Sequence, residues 1–75
     1  MSTLTLEELT QYVQEIMAYE NSLDPNENLI IYGLDSIRIM QIATYLKQKG
    51  ITIEYLELAK APILNEWWQL IKERI

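Results

Sequence analysis

Residues 33 to 40 read Gly33-Leu34-Asp35-Ser36-Ile37-Arg38-Ile39-Met40, and the reading of this junction decides the fold. Gly33 and the polar pair Asp35-Ser36 close a loop. From Ile37 an apolar period begins, with Ile39, Ile42, Ala43 and Leu46 on one face of a helix predicted to run to Lys49. Gly50 follows Lys47 and Lys49, a glycine stop behind cations that suit the negative end of a helix. Asp35 and Ser36 are equally good N-caps, so one of them is free for another role. Ile37 and Met40 lie roughly 100–200° away from the core stripe and are expected to form an exposed apolar ridge beside Ser36. That neighbourhood argues that Ser36 is the free one. A solvent-facing hydroxyl at the positively polarised end of a helix is a place to carry an attached anionic group. It is not a self-activated nucleophile, because no base in the sequence could take its proton.

Upstream, Thr5-Leu6-Glu7-Glu8 has the spacing of a capping box, and Leu4 and Leu9 stand where a hydrophobic staple would. Leu6, Leu9, Val13, Ile16 and Met17 continue at helical spacing, predicting a first helix over about Thr5 to Tyr19. Glu20 to Asn28 is dense in turn formers, with Leu23 and Leu29 expected to pin the loop to the core. That loop is long for so small a chain. Downstream, Ile51-Thr52-Ile53 reads as an extended connector. Glu54 to Lys60 reads as a short helix stopped by Ala61-Pro62. Pro62 is expected to open the last helix, whose apolar side carries Leu64, Trp67, Trp68, Ile71 and Ile75. The expected fold is all-α: a small four-helix bundle with a short third helix and a long loop between the first and second helices.

The composition limits what such a bundle can do. Seventy-five residues, 49% of them hydrophobic, allow one domain, residues 1–75, with a single small core. There is no cysteine and no histidine. This removes disulfides, thiolate zinc sites, a cysteine nucleophile and any Ser-His-Asp triad. An enzyme is therefore not expected. Six basic against eleven acidic residues, a net charge of −5, give no phosphate-binding face for nucleic acid and no attraction to anionic membranes. They suit instead partners with basic faces. No apolar run approaches a membrane span, and Met1 to Glu8 lacks the basic head and apolar segment of a signal peptide. A cytoplasmic, free-standing protein beginning at Met1 is the default expectation.

Gly33-Leu34-Asp35-Ser36, with Ile37-Arg38 after it, resembles the phosphopantetheine attachment motif of carrier proteins. Arg38, Leu58-Ala59-Lys60-Ala61-Pro62 and the Trp67-Trp68 pair are similar to the aryl carrier domains of siderophore-forming nonribosomal peptide synthetases, and the likeness spans Leu29 to Ile71. The resemblance implies a bundle of the acyl/peptidyl carrier type and a 4′-phosphopantetheine arm, donated by coenzyme A, on Ser36. It implies that Asp35 helps a phosphopantetheinyl transferase to place its metal and the coenzyme A phosphates. It implies a partner surface of Leu34, Ile37 and Met40 with Tyr55 and Ala59 from the third helix, and Arg38 at its edge. The implied partners are that transferase, a stand-alone aryl acid adenylation enzyme, and a condensation or cyclization domain that receives the aryl group. The implied cargo is 2,3-dihydroxybenzoate or salicylate, held as a thioester by a monomeric carrier. Two positions depart from the pattern. Ile31 replaces an acidic residue, and Ile63 replaces a threonine that would cap the last helix, leaving Asn65 as a substitute cap.

Two other readings stand beside this one. The first is a carrier of amino-acyl or fatty-acyl groups. The second is a helical docking module in which Ser36 merely caps and Ile37 and Met40 form a constitutive interface. The remaining conspicuous residues have structural explanations. Trp67 and Trp68 point about 100° apart, so one belongs to the core and the other covers a groove. The five tyrosines are spread evenly and are expected to be half-buried rather than functional, Tyr55 being the exception because it falls in the implied partner surface. Glu7, Glu8, Glu15 and Glu20 make the solvated side of the first helix.

Overall fold

The computed structural model describes residues 4–75. The reading of the extreme N-terminus therefore lies outside the described residues as far as Met1 to Thr3 are concerned. The described chain is all-α, with four α-helices and no strand. Helix α1 spans Leu6–Met17, α2 Ser36–Gln48, α3 Tyr55–Lys60 and α4 Leu64–Lys72, and a 3₁₀ turn occupies Leu29–Tyr32. This is the expected bundle, with its short third helix and long first loop. The 3₁₀ turn is an addition: Asn28 accepts the Ile30 N–H at 2.8 Å and so converts the end of the loop into a capped turn.

Local chemistry sets the ends of the helices. Thr5 Oγ1 accepts the Glu8 N–H at 3.1 Å and caps α1. Leu4 and Leu9 are both buried, as a staple requires. Helix α1 stops at Met17 rather than Tyr19 because Ala18 turns left-handed, at φ 52°, and the Tyr19 N–H reaches back to the Gln14 carbonyl. At the end of α2, Gly50 takes φ 83°. The Gly50 N–H donates to the Lys47 carbonyl at 3.0 Å, and the Ile51 N–H to the Leu46 carbonyl at 2.9 Å. This is a Schellman closure, and Ile51 drops into the core behind it. Ile53 is buried as well while Thr52 between them is exposed, so the connector alternates without pairing to anything.

The start of α4 differs from expectation. Pro62 does not open the helix. It is buried, its carbonyl accepts the Leu29 N–H at 2.8 Å, and Ile63 after it is extended at φ −132° and ψ 129°. A helix cannot begin before the backbone leaves that conformation, and it begins at Leu64. Ile75, expected on the apolar side, lies beyond the helix and is 62% exposed.

One continuous core forms from the helix stripes: Leu9 and Val13 of α1; Ile39, Ile42 and Leu46 of α2; Leu58 of α3; Leu64, Trp67 and Ile71 of α4. Leu23, Leu29 and Leu34 add to it from the loop. Trp67 is fully buried and Trp68 only packs against the core, which is the division expected from their angular separation. The Trp67 Nε1–H donates to the Leu58 carbonyl at 2.9 Å. That carbonyl belongs to the last turn of α3 and has no partner within its own helix.

Candidate functional site

The candidate site is the junction where the loop meets α2. Asp35 is the N-cap: its Oδ1 accepts the Arg38 N–H at 2.9 Å. Ser36 is the first helical residue and is exposed, and among the described residues its hydroxyl makes no hydrogen bond. Of the two possible caps, then, Asp35 caps and Ser36 is free. The amides of Ser36 and Ile37 are also uncommitted among the described residues. A phosphodiester on the Ser36 oxygen would therefore meet two unpaired N–H donors and the positive end of the helix dipole, so the residues present fit such a group.

Around Ser36 the surface is apolar. Ile37 is 69% exposed and Met40 59%, one turn apart on α2, forming the ridge that the period predicts. On one side of the ridge lies a shallow groove lined by Met40, Ala43, Thr44, Ile53 and Tyr55. On the other lies a groove lined by Ile37, Met40, Gln41 and the stacked rings of Tyr12 and Tyr45, 3.8 Å between centroids and 8° from parallel. Burial raises both tyrosine hydroxyls above the usual value of 10; at Tyr45 the charges of Glu8 and Glu15 add to the effect. Both rings therefore stay neutral near pH 7.

The other predicted site residues are placed less uniformly. Tyr55 and Ala59 are half-buried on α3, which packs against α2, and Tyr55 lines the first groove. Leu34 is 4% exposed and belongs to the core, so it supports the junction from beneath and offers no side-chain surface to a partner. Arg38 stays partly exposed at the edge of the ridge, but its Nε donates to the Ile16 carbonyl of α1 at 2.9 Å and its Nη1 meets Asp35 Oδ2 at 2.8 Å. Both carboxylate oxygens of Asp35 are thus engaged within the chain. Among the described residues no three acidic side chains gather as a metal site. No described helix is long and apolar enough to cross a membrane.

One exposed apolar residue on α3 has no place in the sequence reading. Leu56 is 75% exposed. A signal existed, since Tyr55, Leu56, Leu58 and Ala59 are four apolar residues in a six-residue helix and cannot share one buried face. Ile30 and Ile31, 50% and 66% exposed, add apolar surface on the turn before the junction.

A four-helix bundle with a free serine at the second helix start, a cap supplied by its neighbour and an apolar ridge beside it is the architecture of a carrier. The chain belongs to the family described as "Phosphopantetheine attachment site", whose profile matches residues 7–71. Members of this family are carriers without catalysis of their own and bear a covalently attached phosphopantetheine arm. Among curated proteins, the chain is 44% identical over 62 residues to Pseudomonine synthase PmsE of Pseudomonas entomophila, a match covering 83% of this chain and 10% of that protein. It is 38% identical over 50 residues to Enterobactin synthase component B of Escherichia coli K12, covering 67% and 18%. It is 36% identical over 66 residues to Phenyloxazoline synthase MbtB of Mycolicibacterium paratuberculosis, covering 87% and 6%. The chain thus spans less than a fifth of the length of each of these relatives. No solved structure gives a significant match.

Proposed function

We propose that this chain is one aryl carrier domain in which Ser36 bears the phosphopantetheine arm, and that it serves nonribosomal siderophore assembly. The observation that carries the reading is the division of labour at the junction. Asp35 caps α2, and the Ser36 hydroxyl is left exposed beside Ile37 and Met40. When bound, the arm supplies the thiol that this cysteine-free chain lacks, and an aryl acid such as 2,3-dihydroxybenzoate or salicylate is held on it as a thioester. The chain's own residues position and recognise. Ser36 holds the arm at the positive end of α2. Ile37, Met40, Tyr55 and Ala59 are the surface that a phosphopantetheinyl transferase, an aryl acid adenylation enzyme and a condensation or cyclization domain meet in turn. Successive brief encounters suit a small interface. A monomeric carrier in the cytoplasm fits these roles.

The relatives' names, those of pseudomonine, enterobactin and phenyloxazoline synthases, support a carrier role in such synthetases, and the phenyl group in the last name is in keeping with an aryl cargo. The test has two parts. Incubation with coenzyme A and a transferase should add one phosphopantetheine to the intact mass, and Ser36→Ala should add none; an equal gain in both removes Ser36 from the reading. The loaded chain should then accept aryl acids from adenylation enzymes in preference to amino or fatty acids from their own ligases. Preference for either of the latter replaces the aryl assignment with the corresponding carrier class. Undiminished partner binding by Ser36→Ala without coenzyme A would favour a docking module instead.

A further inference from the structure

Two irregularities of charge placement occur in neighbouring helices. Helix α1 has no basic residue in its last turn, although a cation is most favoured there. Helix α2 carries Arg38 in its first turn, where a cation is disfavoured. The tertiary structure resolves both at once. The Arg38 guanidinium crosses to α1 and donates from Nε to the Ile16 carbonyl, one of the last-turn carbonyls that the helix leaves without a partner. The same guanidinium holds Asp35 Oδ2 from Nη1, while the Arg38 backbone N–H holds Oδ1. One residue therefore clamps both oxygens of the carboxylate beside Ser36 and ties them to a helix end 22 residues earlier. A planar fork with several fixed donors can do this; a single ammonium cannot make both contacts in the same way.

We propose that Arg38 is a positioning residue for attachment of the arm: it locks the first turn of α2 against the C-terminal end of α1, so that the Ser36 hydroxyl is held in one place. The inference rests on Ser36 being the acceptor. In that transfer the Ser36 Oγ–phosphorus bond forms as the pyrophosphate bond of coenzyme A breaks. Adenosine 3′,5′-bisphosphate leaves, and the hydroxyl proton passes to a base of the transferase. Arg38 touches none of the reacting atoms. Its effect is on where the attacking oxygen sits, and small misplacements of an attacking group lower turnover strongly. A guanidinium serving mainly as a docking contact would leave its donors free. Here, although the side chain is 37% exposed, Nε and Nη1 are both committed to groups of the chain itself.

Arg38→Met and Arg38→Lys test this in two measurements. The first is amide hydrogen exchange on the arm-free protein. The Ala18 and Tyr19 amides, which close α1 on Glu15 and Gln14, are expected to exchange about tenfold faster in Arg38→Met, while amides inside α4 keep their protection. Unchanged exchange at Ala18 and Tyr19 overturns the proposal. The second is steady-state arm attachment by a purified transferase with coenzyme A, read by intact mass. In Arg38→Met kcat is expected to fall about tenfold with KM within about twofold, and Arg38→Lys to recover only part of the loss. A loss confined to KM makes Arg38 a docking contact and sinks the proposal; so does full activity. If the unaltered chain gains no mass, the Ser36 reading fails and takes with it the reaction that Arg38 would serve. The exchange result then decides separately whether the tie between the helices exists.

Discussion

The backbone N–H of Asn65 donates to the carbonyl of Pro25 at 3.0 Å, so α4 starts on a group supplied by the loop between α1 and α2. The N-cap residue, Ile63, has no side chain that could do this. Asn65 adds a side-chain bond from Nδ2 to Asn26 Oδ1. The long loop thus has a structural role beyond joining two helices. It meets the first turn of the last helix, where orphan N–H donors need acceptors. Asn65 is not a substitute cap in the sense expected from the sequence, since it lies within the helix and reaches outward to the loop.

Asn65→Ala keeps the backbone bond to Pro25 and removes the one to Asn26. The site is exposed, so the expected cost is about 0.5–1 kcal/mol. Urea titration should place the midpoint lower with an unchanged slope. A midpoint equal to that of the unaltered chain would show that the amide pair contributes nothing.

Trp67→Phe retains much of the buried volume and deletes the donor to the Leu58 carbonyl. That carbonyl then lies buried without a partner, and a cavity remains where the indole was. The expected loss is about 2–3 kcal/mol, or roughly 4–8 °C in Tm for each kcal/mol in a domain of this size. Thermal unfolding followed by far-ultraviolet circular dichroism measures it. A drop of under a degree would mean that the indole hydrogen bond is not made.

Glu57 accepts the Glu54 N–H at 3.0 Å and pairs with Arg74 Nη2 at 2.7 Å. The backbone bond to Glu54, then the charge of Arg74, holds its carboxyl below the ordinary value of 4.5. A carboxylate depressed in the folded state contributes stability that is fully present above its unfolded pKa. That contribution is lost as pH falls through the folded value. Glu57→Gln should therefore be less stable than the parent at pH 7, and the gap should narrow as pH falls below the ordinary carboxylate value of 4.5. Stability measured at pH 7, 5 and 3 checks this. A gap of constant size across the range would assign the effect to packing rather than charge.

Ile37→Ala and Met40→Ala should each leave stability within about 0.5 kcal/mol, because both side chains stand in solvent. Leu34→Ala, beneath the same junction at 4% exposure, should cost about 2–4 kcal/mol. Loading by the adenylation enzyme should show the reverse order, with the larger rise in KM for the Ile37 and Met40 variants. Stability and loading losses that run in parallel across the three would mean that the ridge is not a separate docking surface.

The helices and their stripes were legible in the sequence, because both follow from residues three and four apart. Leu9 and Val13 go inward, and Ile39, Ile42 and Leu46 follow, whatever the rest of the chain does. The sequence likewise narrowed the cap of α2 to Asp35 or Ser36, and the predicted ridge of Ile37 and Met40 pointed to the free one. Tertiary structure decided the rest. Leu34 and Arg38 sit in the motif as candidates for a partner surface. Leu34 turns into the core, and Arg38 reaches a carbonyl 22 residues away. The start of α4 was equally out of reach, since it depends on which group meets Pro62 and Asn65 across the fold. Local patterns specify which groups are left unsatisfied at a helix end. Only the packed chain brings up the distant donor or acceptor that satisfies them.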